Sequence, residues 1–177
     1  MKIKLIVIIG LVITTFAACS NTANETPFSK VENADSVSSN SAVATTLPSF
    51  KVIAIDGSII NLADLKGRKV FVNLWASWCP PCRAEIPSIE KLKTKVDPQK
   101  VVFVMLSLDE NFELAKNFAK KNKMQLPVYY PAETLPAMFN TNGIPATFIF
   151  NEKGELIKAN NGMDDYNTDE YVQLLKG

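Results

Sequence analysis

Val70 to Trp75 and Val101 to Leu106 are near-continuous apolar runs, the pattern of short strands buried on both faces. Between them Ile86, Ile89 and Leu92 recur at helical spacing, which predicts a helix from about Pro80 to about Val96. Pro87 falls inside that helix and is expected to kink it, because its ring blocks the bond to the preceding turn. Phe112, Ala115, Phe118 and Ala119 mark one face of a second helix ending near Lys123. Upstream, Phe50 to Ile55 and Ile59 to Leu62 flank Asp56-Gly57, a turn pair that predicts a β-hairpin. Leu126 to Asn142 holds Pro127, Pro131 and Pro136 and reads as a short strand and a short helix around Leu135 to Asn140. Ala146 to Phe150 and Glu155 to Ala159 form a closing hairpin about Asn151 to Gly154. Thr168 is placed to cap a last helix that buries Tyr171, Val172, Leu174 and Leu175. Alternating strand and helix followed by a hairpin and a helix implies an α/β fold, a central mixed β-sheet with helices on both faces and an N-terminal β-hairpin extension.

The first residues follow another pattern. Lys2 and Lys4 precede the apolar run Leu5 to Phe16, which ends in Ala17-Ala18-Cys19-Ser20. A basic start, a short apolar core and small residues before a cut are the marks of an export signal. The run falls short of the roughly 20 residues that a membrane-spanning helix needs. Small residues before a cysteine resemble a lipoprotein signal, so residues 1–18 read as the signal peptide and Cys19 as a lipidated first residue of the mature chain. Phe16 departs from the aliphatic residue usual there, and an ordinary cut near Ala17 or Ala18 would leave Cys19 free. Residues 19–46, rich in Ser, Asn, Thr and Ala, read as a flexible tether to a single domain over 47–177.

Composition removes several kinds of chemistry. With 19 Lys+Arg against 18 Asp+Glu there is no electrostatic footprint for nucleic acid, and no such partner is expected. The chain has no histidine, which excludes Ser-His and Cys-His nucleophiles and every zinc site that needs an imidazole. No metal site is expected, and the Lys and Asp runs read as solvated faces.

What remains is the segment Trp78-Cys79-Pro80-Pro81-Cys82, set between a buried strand and a helix. Two thiols so spaced share the first helical turn, one exposed near the positive end of the helix dipole and one just inside. A structural disulfide across two residues closes too small a loop to stabilise much. Half of a zinc site would need a second such pair or a histidine. Reversible thiol–disulfide exchange is the reading left, with no cofactor beyond a Cys79–Cys82 redox disulfide. Trp75 reads as core, whereas Trp78 is expected to shield the sulfur and offer partners an apolar contact.

Asn73 to Pro87 and Gly143-Ile144-Pro145-Ala146-Thr147-Phe148 closely resemble the thioredoxin superfamily, and within it the exported TlpA/ResA/CcmG-type thiol–disulfide oxidoreductases. The resemblance runs from about Pro48 to Lys176 and implies the thioredoxin-like fold. It implies Cys79 as attacking thiol and Cys82 as resolving thiol. Pro80 and Pro81 restrict the loop and withhold backbone donors from the sulfur, which favours reducing character. Pro145 matches the family's cis-proline, which leaves Ile144 to meet an extended substrate through its main chain. Cytoplasmic thioredoxins place an aspartate where this chain has Asn73; the exported group resembles it in having Asn there and a glutamate after the second cysteine. Glu85 is therefore the expected proton-tuning group.

The implied protein reduces disulfides of exported cysteine-containing proteins from the cell envelope, anchored to a membrane by lipid on Cys19 and facing the periplasm or exterior. Apocytochrome c is a candidate substrate, and a membrane thiol-transfer protein of the DsbD or CcdA kind a candidate electron donor. Net oxidation or isomerisation uses the same residues, since direction follows potential. A copper-binding thiol chaperone fits less well, because the related Sco-type proteins use wider cysteine spacing and a histidine. A peroxidase fits poorly too, because Ala76 stands where its threonine or serine belongs.

Overall fold

The computed structural model describes residues 45–177; the export signal, Cys19 and most of the expected tether lie outside the described residues. Chain pairing begins just ahead of Leu47, with Thr46 bridged to Glu155 and the Leu156 N–H donating to the Thr45 carbonyl at 2.7 Å.

The first hairpin joins β1 (Lys51–Ala54) to β2 (Ile59–Asn61). Its turn works because Gly57 adopts φ of 86°, a conformation that costs glycine nothing, while Asp56 Oδ1 accepts from the N–H and hydroxyl of Ser58. A 3-10 helix over Leu62–Leu65 leads to β3 (Lys69–Trp75), buried along its whole length as its sequence requires. Then follow α1 (Pro80–Thr94), β4 (Val101–Ser107), α2 (Phe112–Lys121) and β5 (Val128–Pro131). A second 3-10 helix (Ala137–Phe139), β6 (Ala146–Phe150), β7 (Leu156–Asn161) and α3 (Asp169–Lys176) complete the domain. Helix α1 continues through Pro87. Thr168 stands at the N-cap of α3 but its side chain makes no capping bond. Leu174 is only half-buried there.

The strands form one seven-stranded mixed sheet in the order β2-β1-β5-β4-β3-β6-β7. Strands β3, β4 and β5 are parallel; the remaining pairs are antiparallel. Alternation along β3 splits the core into two layers. Phe71 and Trp75 enter one with α1, α2 and α3, whereas Val70, Val72 and Leu74 enter the other with Phe50, Leu62 and Phe139. All three α-helices thus share one face, and 3-10 helices with the N-terminal segment cover the opposite one. The reason is topological: the crossovers β3-α1-β4 and β4-α2-β5 step the same way across the sheet, so connections of one hand bring both helices to the same side.

Register gathers four loops at one end of the sheet. Leu74 stands opposite both Leu106 on β4 and Ala146 on β6, and Ala146 opposite Asn161 on β7. The segments after β3, β4 and β7 and the segment before β6 therefore converge there, at the carboxyl ends of the parallel strands where open α/β sheets place their sites.

Candidate active site

Cys79 is the N-cap of α1, and Pro80 and Pro81 open the helix where no partner exists for a backbone N–H. Cys79 Sγ accepts from the Cys82 N–H at 3.3 Å, and the two sulfurs are joined in a disulfide. Both are nearly sealed off, Cys79 at 2% exposure and Cys82 at 0%. Only the first keeps any surface for a partner sulfur to meet. Trp78 is 60% exposed beside them, whereas Trp75 is core.

Opposite the disulfide the Ile144–Pro145 bond is cis. The Ile144 carbonyl lies 3.7 Å from Cys79 Sγ. A groove of about 570 Å³ runs along this segment, lined by Met138, Asn142, Ile144, Pro145, Phe148 and Gly162. Pro80 instead lines a smaller hollow with Arg83 and Phe118. Pro80 and the Ile144–Pro145 pair thus border separate hollows.

Glu85 lies one turn beyond Cys82, on the same helix face. It is 2% exposed and has no cationic partner among the described residues. Its Oε1 accepts from Asn73 Nδ2 at 2.7 Å and its Oε2 from the Asp164 N–H at 3.2 Å. Burial pushes its carboxyl up to about 7, because two neutral donors only partly replace the lost water and the nearby Asp164 adds repulsion. Asn73 Nδ2 also donates to Thr147 Oγ1 at 2.9 Å, and the Tyr166 hydroxyl donates to that same oxygen at 2.7 Å. Burial first, and then the charge of Glu85, push the Tyr166 phenol up to about 12. Tyr171 donates to Asp164 Oδ2, tying the loop after β7 to α3.

On the other side of the loop lies Asp109, 4% exposed. Its carboxylate accepts from the Ser77 N–H at 3.1 and 3.2 Å, the Ser77 hydroxyl at 2.7 Å and the Ser107 hydroxyl at 2.8 Å. This latch holds the residues leading into Trp78 and Cys79, assisted by the Leu108 N–H on the Trp75 carbonyl at 2.8 Å. Asp109 is no solvated carboxylate, since donors from Ser77 in the loop after β3 and from Ser107 at the end of β4 replace the water a surface group would use. The motifs give no sign of Tyr166 or Asp109, and they contain Thr147 without giving it a role. The one available signal was a polar Thr147 inside an otherwise apolar strand.

The carboxyl-end position, the helix-capping disulfide and the cis-proline segment define a thioredoxin-fold dithiol protein of the TlpA/ResA/CcmG-like group. The chain belongs to the Redoxin family, whose model matches residues 42–175. It is 31% identical over 132 residues to thiol-disulfide oxidoreductase ResA of Bacillus subtilis (strain 168), covering 73% of each chain. To a thiol-disulfide oxidoreductase ResA of Bacillus cereus it is 32% identical over 112 residues, a match covering 63% of this chain and 65% of that one. Among solved structures, StoA from Bacillus subtilis superposes with a TM-score of 0.60 at 27% identity, covering 73% of this chain and 97% of that one.

Proposed function

We propose that this protein is an extracytoplasmic thiol–disulfide oxidoreductase that reduces disulfides in exported proteins. The observation that carries the reading is the Cys79–Cys82 pair in the first turn of α1, with the Ile144 carbonyl against Cys79 Sγ. In the reduced form the Cys79 thiolate, favoured by the helix N-terminus, attacks one sulfur of a partner disulfide. The other partner sulfur leaves with the bonding electron pair and takes up a proton. Cys82 then gives up its proton and attacks Cys79 Sγ, expelling the second partner sulfur as a thiolate that is protonated in turn. Two electrons pass to the partner and the Cys79–Cys82 bond closes. Reversal of these steps with a membrane thiol-transfer donor of the DsbD or CcdA kind restores the dithiol.

Glu85 takes the part of proton carrier for Cys82 in this scheme. A carboxyl that titrates at about 7 exchanges protons readily at neutral pH, and Glu85 shares the face of α1 that carries Cys82. Trp78, Pro80, Pro81, Ile144 and Pro145 form the rim a partner meets. The basic and apolar start of the chain supports export, with lipid on Cys19 as the anchor and the segment between Cys19 and the paired Thr45 as the reach from the membrane.

The test is a Cys82→Ala trap produced in its native cell, which stops the reaction at the mixed disulfide. Exported cysteine-containing proteins bound through Cys79 are expected. Apocytochrome c among them would assign the protein to cytochrome maturation. A trap that captures no protein through Cys79 overturns the reading.

A further inference from the structure

Ala84 borders two hollows of opposite character beside the disulfide. One is lined by Glu85, Asp164 and Asp165, with Lys91 at its edge. The other, of about 380 Å³, is walled by Pro80, Arg83, Phe118 and Asn122, and the guanidinium is the only charged group that lines it. Pro80 directly follows Cys79, so whatever fills this second hollow lies next to the residue whose sulfur meets a partner.

Arg83 is exposed there, with its Cζ 5.9 Å from the centroid of the Phe118 ring. An aromatic contact of this kind steadies the guanidinium without using its N–H donors. The ion pairs among the described residues are Lys116 with Glu113 and Lys158 with Glu170, and neither involves Arg83. Carboxylates on the same flank are already engaged. Glu113 on α2 holds Lys116, and Glu90, two turns along α1 from Arg83, receives the Gln125 N–H at 2.7 Å. Lys121, exposed three residues after Phe118 on that side of α2, adds positive charge rather than cancelling it. A fixed planar cation with its donors unspent matches a carboxylate, which it can grip through two parallel hydrogen bonds.

We propose that Arg83 is a specificity-determining residue, which takes an aspartate or glutamate carboxylate carried by the partner protein close to its reacting cysteine. The proposal deepens the function given above and rests on it for the exchange step. Asp164 and Asp165 across Ala84 repel the same carboxylate, so an acidic residue is welcomed on one flank of the disulfide and refused on the other. The partner chain is thereby read in one direction.

The experiment measures how fast the reduced full chain reduces three synthetic disulfides. Each is the dimer of a short end-blocked cysteine peptide with glutamate, glutamine or lysine placed two residues away on both sides of the cysteine. Arg83→Gln is expected to lower the rate on the glutamate peptide relative to the glutamine peptide by about three- to five-fold, the range of one exposed charge-assisted pair. Arg83→Glu is expected to lower it further and to raise the rate on the lysine peptide, and high salt to erase these differences. A change in the reactivity of Cys79 itself would alter all three peptides alike and leave the ratio where it was. A ratio unmoved by Arg83→Gln overturns the proposal. So does an equal shift in Lys100→Gln, which removes a charge just ahead of β4 at the other end of the sheet and would make the effect one of total charge. Should the reduced native protein act on none of the three peptides, the functional reading falls and the proposal with it.

Discussion

Two carboxylates are sealed beneath the active-site end of the sheet, and they are supplied very differently. Asp109 receives the Ser77 N–H, the Ser77 hydroxyl and the Ser107 hydroxyl, so its charge is spread over donors that also fasten the loop into Cys79. Glu85 receives one side-chain N–H and one backbone N–H, the latter at 3.2 Å, and is pushed up to about 7. Buried charge is tolerated in proportion to the hydrogen bonds it collects. A well-supplied carboxylate is a fastener, and an under-supplied one is a proton site. The two stand on opposite sides of the same loop, which separates the hold on Cys79 from the proton-exchange role proposed for Glu85.

Truncation of the fastener is expected to break this contrast most forcefully. Asp109→Ala leaves the Ser77 N–H and two hydroxyls unsatisfied and should cost about 3–5 kcal/mol of stability in urea unfolding, since bonds to a charged acceptor are the strong ones. Asp109→Asn keeps one acceptor and should lose about half of that. A loss under about 0.5 kcal/mol for Asp109→Ala, the scale of ordinary surface changes, would show that the latch holds nothing.

Glu85 should act on stability through pH instead. Its folded value of about 7 lies above its ordinary 4.5, so the folded state binds the extra proton between those values. Stability should therefore fall as pH rises from about 4.5 through about 7, by about 3 kcal/mol for a shift of this size. In Glu85→Gln the curve should lose that slope. A native slope that survives the substitution would place the linked proton elsewhere.

Trp78 marks the smallest effect on folding. Being 60% exposed, it should change stability by less than about 0.5 kcal/mol on replacement by alanine. The same change should raise KM for a protein disulfide and leave reaction with a small disulfide unaltered, and an equal loss on both substrates would make Trp78 part of the sulfur chemistry itself.

Much of this arrangement was legible in the chain. The apolar run of β3 and the Cys79-Pro80-Pro81-Cys82 helix start each carry local constraints, so they could be placed without knowing the rest; Pro145 was assigned as the cis-proline through the family resemblance. Glu85 was reached through its resemblance to an exported group, not through periodicity. Thr147 was visible as a polar residue in the Gly143 to Phe148 motif, but its partners, and Tyr166 altogether, were out of reach because they arise only when β6 is laid beside β3 and the loop after β7 folds back. Asp109 was masked for the same reason, as nothing in Ser107-Leu108-Asp109 says that Ser77 will face it. The gathering of all three α-helices on one face depended on β5 continuing the sheet beyond β4, which the proline-broken segment from Leu126 to Asn142 did not disclose.

The most direct test of the account is the rate of Cys79 alkylation in the reduced protein measured against pH, with and without Glu85. An inflection near pH 7 is expected in the native protein, superimposed on the thiol titration, and is expected to disappear in Glu85→Gln. Identical profiles in the two proteins would contradict it.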